Sequence, residues 1–321
     1  MKYSADLQKQ LQLLTAKLIS EIKKSEYTQD ASRDVIDEIK QVIHFHDWKY
    51  YVDANPTIKD FDYDQLFKKL KSLEEKFPEL LTPDSPTQRV ARTLTEEFNT
   101  VQHSVPMLSL ENSYDETDLN TFDKRVKELT GESKVEYCAE PKFDGSSIAL
   151  IYENDMLVRA ATRGDGISGE EITNNARRMK SVPLSAKFSE YGIKKIELRG
   201  EVVINKKTFS KINEKREEEG LQILQNPRNS AAGALRVKDS IEVERRALEA
   251  FMYQMAYAVD ENNEDVFGNT LDYHFENINI LGKLGFKIPQ KEKKLCKNIS
   301  EALEFIKDWE EKRDDYEYEI D

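Results

Sequence analysis

Lys142 stands two residues before Asp144-Gly145 in the run EPKFDGSSIAL, residues 140 to 150, where one apolar segment ends and the next begins. Asp-Gly between alternating apolar runs is a hairpin signal, and a solvated lysine in a turn accounts for these residues as they stand. The chemical alternative is a lysine nucleophile. Such an amine must be partly neutral near pH 7, which takes desolvation or neighbouring cations to bring its pKa down from about 10.4. Arg163, in ATRGDGISGE, is a candidate cation, because its strand is expected to pair with the one leaving Lys142. Gly164, Gly166 and Gly169 around Asp165 make either a loop whose backbone can approach a ligand or a flexible hairpin end.

Carboxylates and arginines recur in similar settings. Glu140 lies on the same strand face as Lys142, and Glu201 sits inside the apolar strand IELRGEVVI, where a glutamate is uncommon unless paired across the sheet or used chemically. NPRNSAAGALR places Arg228 and Arg236 on either side of a small-residue run, where they could hold phosphate or cap carboxylates. Asp60, Tyr63 and Asp64 fall at i, i+3 and i+4, on one helix face, just after Tyr50 and Tyr51. An N-cap role for Asp60 and core packing of the tyrosines would use the same residues.

The elements that must position these groups divide the chain in two. Leu7, Leu11, Leu14, Leu18 and Ile22 recur at helical spacing, as do Val35, Ile39, Val42 and Ile43 after a polar break at residues 25–32. A third helix is predicted from Asp60, as N-cap, to a stop before Pro78. LLTPDSPTQRV, with Pro83 and Pro86, reads as a boundary between a helical domain, residues 1–80, and a second domain, residues 81–321. Strands are predicted over 135–139, 147–152, 156–162, 196–204 and 250–259, and helices over 170–179, 207–219, 271–284 and 300–313. Strands joined by hairpins as well as helices predict an α+β domain with antiparallel sheet. YEYEID, residues 316–321, reads as the first half of a strand, so the chain is expected to be cut inside a folded domain.

Composition bounds the rest. The 321 residues carry 48 basic and 61 acidic side chains, a net charge of -13, which argues against a surface dedicated to wrapping nucleic acid. Mean hydropathy is -0.71, and no apolar run approaches the roughly twenty residues of a membrane span. The N-terminus has no secretory pattern. Cys138 and Cys296 are the two cysteines, without CxxC or a histidine at ligand spacing, which argues against a disulfide framework or structural zinc and fits a reducing cytoplasm.

The run from Glu140 to Gly145 resembles the K-x-D-G signature of the covalent nucleotidyltransferases, the superfamily of DNA ligases, RNA ligases and mRNA capping enzymes. YYVDANPTIKDFDYD, PELLTPDSPTQRV, VPMLSLENSYD, ATRGDGISGEEIT, ELRGEVVI and NPRNSAAGALR, in this order, resemble the bacterial NAD⁺-dependent DNA ligases from about Gln41 onward. The resemblance implies a helical domain binding nicotinamide mononucleotide (NMN), followed by an ATP-grasp-like nucleotidyltransferase domain. In this reading Lys142 attacks the α-phosphorus of NAD⁺, expels NMN and becomes lysyl-AMP. AMP then passes to the 5′-phosphate of a DNA nick, and the 3′-hydroxyl displaces it. Mg²⁺ or Mn²⁺ is implied, with Glu201 and Asp321 as its neighbours.

By the same matching, Asp144 and Glu201 engage the AMP ribose or the metal and Glu140 lines the adenine site. Gly145 completes the signature, Arg163 contacts ribose and phosphate, and Ser109 with Leu110 flanks the nucleotide. Arg228, Arg236 and Arg313 match further nucleotide-site positions, and Asp321 matches the start of a D-G-V-V-I-K strand. Tyr50, Tyr51, Asp60, Tyr63 and Asp64 match the NMN site, where rings can stack on the pyridinium and carboxylates can meet its charge. Tyr51 departs from relatives with histidine there. The residues before about Ser32 have no counterpart in the motifs.

A lysine beyond Asp321, a further lysine, and the oligonucleotide-binding, zinc, helix-hairpin-helix and BRCT modules fall outside this sequence. Weak or absent self-adenylation and DNA binding are therefore expected of this stretch, as is a monomer in a bacterial cytoplasm. The rival readings are an ATP-dependent nucleotidyltransferase acting on RNA ends and a nucleotide-binding module without chemistry.

Overall fold

The computed structural model describes residues 2–22, 29–90, 98–268 and 271–321. The helical region comprises α1 (Ala5–Glu21), α2 (Gln29–Tyr51) and α3 (Asp60–Lys76). Much of the predicted polar break lies outside the described residues, and α2 begins at Gln29, six residues before the first periodic apolar position. Ser4 starts α1 by accepting from the Leu7 N–H at 3.3 Å. Asp60 is not an N-cap: Lys59 holds that place without a side-chain bond, while Asp60 and Asp62 occupy the first turn, where a negative charge suits the helix dipole. Ile36, Ile39, Ile43, Leu66 and Leu70 meet in the core these helices enclose. The next turn of α2, from Phe45 to Lys49, is buried on every side, because α1 covers one face and the second region covers another.

In chain order the second region contains β1 (Thr100–Gln102), α4 (Glu116–Thr130), β2 (Tyr137–Ala139), β3 (Ser146–Glu153), β4 (Met156–Thr162), β5 (Ser168–Glu170) and α5 (Thr173–Arg178). It continues with β6 (Lys195–Val203), α6 (Lys206–Glu218), α7 (Pro227–Leu235), α8 (Ile241–Arg245), β7 (Glu249–Val259), α9 (His274–Leu284), β8 (Lys294–Cys296) and α10 (Ile299–Lys312). The main sheet runs β4-β3-β6-β7, antiparallel throughout, with β1·β5 and β2·β8 as two-stranded companions. The architecture is the expected α+β with antiparallel sheets. Its core, around Tyr152, Phe188 and Phe286, lies between the main sheet and the helices covering it.

Two expectations change. Residues 170–179 are not one helix: Glu170 ends β5, paired with Thr100, and only Thr173–Arg178 is helical. Asp144-Gly145 does not close a hairpin either, because β2 pairs with β8 whereas β3 pairs with β4 and β6. The Glu140–Gly145 segment is a crossing between sheets, which leaves Lys142 outside both ladders. The terminal YEYEID segment makes one bridge, Ile320 to Phe143. Hydrogen bonds from Asp321 N–H to the Lys142 carbonyl, 2.7 Å, and from Asp144 N–H to the Glu319 carbonyl, 2.9 Å, flank it. No described helix is long and apolar enough to cross a membrane.

Candidate active site

β3 and β6 build the floor of the site. Their register places Ser147 opposite Glu201, and Ser147 Oγ donates to Glu201 Oε2 at 3.0 Å. Burial raises the Glu201 carboxyl to about 7; the Ser147 hydrogen bond and then the charges of Arg228 and Lys142 pull the other way. Glu201 is thus held by a hydroxyl, with no ion pair across the sheet among the described residues. A Cβ on Gly145 would fall onto the Val202 carbonyl oxygen, so glycine is needed for the crossing chain to pack against β6.

A cleft of about 540 Å³ opens over this floor. Gly145, Ser147, Arg163, Glu201, Arg228 and Arg236 are among its lining residues. Lys142, half-exposed, stands three residues before Gly145 and makes an ion pair with Asp321. That ion pair holds the Asp321 carboxyl below its usual range. The other cations are also matched. Arg228 Nη1 donates to Asp144 at 2.9 Å, and Arg236 grips Glu170 through two nitrogens at 2.5 and 2.7 Å. Arg163 Nη2 donates to Ser109 Oγ at 2.9 Å. Each partner is exchangeable. Phosphate oxygens arriving in the cleft could replace carboxylate or hydroxyl acceptors on several guanidinium groups without any cation having been left unpaired beforehand.

Arg163 follows β4, which pairs with β3 as expected. Its loop is an ordered turn and not a loose hairpin end: Gly164 and Gly166 have φ of 57° and 91°, and Asp165 Oδ1 accepts from the Ile167 and Ser168 N–H groups. The loop also receives the Met107 N–H on the Gly166 carbonyl at 2.7 Å, which brings Ser109 to Arg163 and leaves Leu110 exposed.

A buried pair that sequence reading passed over supports that segment. Glu197, Arg199 and Glu201 alternate on one face of β6. Arg199 Nη2 bonds Glu197 at 2.8 Å and donates to the Val105 carbonyl, while Glu197 accepts from the Ser104 N–H. The signal was present in the period-2 charge pattern of ELRGE.

Other predicted residues stand apart from the cleft lining. Glu140 turns toward His274, whose Nε2 lies 3.0 Å from Glu140 Oε2, and Arg313 is exposed, 3.9 Å from Asp314. Tyr50, Tyr51, Asp60, Tyr63 and Asp64 are absent from the lining altogether. Asp60 and Asp64 are exposed, and Tyr50 is 57% exposed. Tyr51 and Tyr63 instead share a cation with each other. The Lys180 ammonium sits 5.3 Å from the Tyr51 ring centroid and 5.0 Å from that of Tyr63, 3.3 Å from the Tyr63 hydroxyl and 3.7 Å from Asp47. Tyr63 in turn donates to Asp47 Oδ1 at 2.7 Å, and burial and the Asp47 charge raise its pKa. Lys180 follows α5, so its arrival here depends on tertiary packing and has no local sequence signal. A separate cavity of about 580 Å³ between the helical region and the sheet domain contains none of the predicted residues.

Comparison with known proteins supplies the context. The NAD-dependent DNA ligase adenylation domain matches residues 95–321, and the DNA ligase-like, N-terminal NAD⁺-binding domain matches residues 28–91. The DNA ligase of Persephonella marina is 58% identical over 287 residues, 89% of this chain and 40% of the relative. Those of a Sulfurihydrogenibium species and of Aquifex aeolicus are 52% and 50% identical, cover 99% of this chain, and are themselves covered over 45% and 44% of their lengths. The chain thus spans less than half the length of these curated relatives. It belongs to the NAD-dependent DNA ligase family.

Proposed function

We propose that this chain carries the first step of DNA ligation: Lys142 accepts AMP from NAD⁺ with release of NMN. AMP would then pass to a nicked DNA end in the whole protein. The observation carrying this reading is the placement of Lys142 beside a cleft whose lining combines Arg163, Arg228 and Arg236 with the partly buried Glu201. To react, the Lys142 amine must leave Asp321 and give up a proton. Its Nζ–P bond forms as the bond from phosphorus to the NMN phosphate oxygen breaks.

The arginines orient the phosphates and balance the charge that develops on the oxygens. Asp144 and Glu201 would hold the ribose, Glu140 would meet the adenine, and Ser109 with Leu110 would border the nucleotide. Asp321, Asp144 and Glu201 are hard oxygen donors of the kind Mg²⁺ or Mn²⁺ accepts. When bound, the ion would neutralise phosphate charge.

The residues up to about 80 would form the NMN-binding domain, through Tyr50, Tyr51, Asp60, Tyr63 and Asp64, and those from 81 the adenylation domain. Because the NMN set lies outside the cleft lining, binding NAD⁺ across both would require the helical domain to move. Matching small-angle scattering curves with and without NAD⁺ would count against that movement. A monomer in the bacterial cytoplasm, with DNA gripped mainly by other parts of the whole protein, fits the acidic charge.

The donor separates this reading from an ATP-dependent one. Incubation with NAD⁺ or ATP labelled in the adenine ring, each with Mg²⁺, should give protein-bound label from NAD⁺ alone. Label from ATP alone would overturn it.

A further inference from the structure

Cys138, Glu140 and His274 lie far apart in the chain but meet at one end of the β2·β8 ladder. Cys138 is the central residue of β2 and Glu140 follows its last residue, two positions on, a spacing that in extended backbone sends both side chains to one side. His274 opens α9 and reaches them across the top of that strand. Cys138 Sγ, a Glu140 oxygen and a His274 ring nitrogen all lie within 4.8 Å of one another. Ligand atoms around a tetrahedral zinc are about 3.5 Å apart, so small side-chain rotations close the set. Glu140 Oε2 meets His274 Nε2 at 3.0 Å, but Oε1 is buried with no partner among the described residues, although the side chain is only 17% exposed. A carboxylate oxygen removed from water without a donor is incompletely satisfied, and a cation would correct that. The nearby Lys293 ammonium does not bond it, and sits 5.0 Å from the Phe275 ring centroid.

We propose that Cys138, Glu140 and His274 form a three-ligand site for a borderline-soft divalent ion such as Zn²⁺ or Co²⁺, with a fourth position open to water. Thiolate, imidazole and carboxylate together favour these ions over Mg²⁺, which takes oxygen ligands. Binding forms the metal–sulfur bond and releases the Cys138 thiol proton to solvent. The local spacing that argued against zinc in the sequence is bypassed by the fold, which brings His274 to the pair. A second consequence rests on the reading of the preceding section: Glu140 cannot both ligate this ion and meet adenine, so the ion and NAD⁺ should exclude each other.

Titration of the protein with Co²⁺ under a non-thiol reductant tests the site without any nucleotide. The expected result is one Co²⁺ per chain with a thiolate-to-cobalt absorption band in the near ultraviolet, displaced by Zn²⁺. The band should vanish in Cys138→Ser and persist in Cys296→Ser. His274→Gln, at an exposed position where folding is not at stake, should weaken Co²⁺ binding by roughly tenfold or more. Absence of the band in the parent protein, or its survival in Cys138→Ser, overturns the site.

Adding NAD⁺ then tests the exclusion. Loss of the band as NAD⁺ binds supports it, whereas simultaneous binding with no mutual effect overturns it. If NAD⁺ fails to bind the metal-free protein while Co²⁺ alone gives the band, the nucleotide reading fails and the metal site does not.

Discussion

The cleft beside Lys142 and the aromatic pair Tyr51–Tyr63 are both places where a cation meets its partner, but they are built in different ways. In the cleft the cations are paired with exposed carboxylates or a hydroxyl at the surface, so an incoming phosphate group can exchange with them. At the aromatic pair the cation is the protein's own Lys180, held over two rings and beside the buried Asp47. The first region is poised for a ligand, and the second is already filled by a residue of the same chain. A nicotinamide ring approaching Tyr51 and Tyr63 would therefore have to displace Lys180, together with the packing of α5 that delivers it.

The largest effect expected from breaking this arrangement lies in the seam between the regions. Arg89 is buried and donates to the carbonyls of Arg177, Met179 and Val182 at 2.9, 3.1 and 2.9 Å, fastening the segment after α3 to the end of α5. Arg89→Met strands three carbonyls and should cost about 3 kcal/mol or more. Urea denaturation should then resolve a separate early transition of the helical region; an unchanged single transition would show that the seam does not hold the regions together.

Glu201 gives the next largest effect. Its folded-state pKa, about 7, lies above the ordinary value near 4.5, so the folded protein binds this proton more tightly than the unfolded chain. The contribution is fully present below about pH 4.5 and lost as pH rises through about 7. Glu201→Gln removes that dependence. Relative to the parent, the variant should gain about 1 to 3 kcal/mol between pH 4 and pH 8, and parallel stability profiles would place Glu201 in a more solvated setting.

Lys180→Met should sharpen the contrast between the two regions. It removes a cation–π contact worth about 1 kcal/mol, so NAD⁺ affinity should rise about fivefold if the pyridinium takes the vacated place. Calorimetry giving unchanged or weaker binding would separate the aromatic pair from the nucleotide. The smallest effect is on stability at Arg228. Its pair with Asp144 is exposed, and Arg228→Ala should shift the unfolding free energy by less than about 1 kcal/mol while still weakening NAD⁺ binding.

Much of this was legible in the sequence. The period-2 and period-3.6 patterns placed β3, β4, β6, β7, α9 and α10 within a few residues, because each commits apolar residues to a core, and α6 was placed as well although none of its residues is fully buried. Two helices were passed over. α4 is mostly exposed, yet Leu119, Phe122, Val126 and Leu129 recur in it at helical spacing, and Asp115 and Gly131 mark its ends as N-cap and left-handed C-cap. α7 was read as a small-residue run, although Asn226-Pro227 is a helix start in which the asparagine caps and the proline takes the first position.

At the site, the residue types around Lys142 were readable because strand register follows from alternation. The partners that decide their chemistry were not: Ser147 for Glu201, His274 for Glu140 and Lys180 for the tyrosines come from distant segments. Local spacing carries no information about such contacts.

The central claim is that one side chain, Lys142, takes AMP from NAD⁺. Intact and peptide mass spectrometry after incubation with NAD⁺ and Mg²⁺, on a chain extended past Asp321, tests it most directly. The account predicts a single AMP on the peptide containing Lys142, with NMN released in equal amount and no adduct in Lys142→Ala. An adduct that persists in Lys142→Ala, or an extended chain that binds NAD⁺ and never gains AMP, would contradict it.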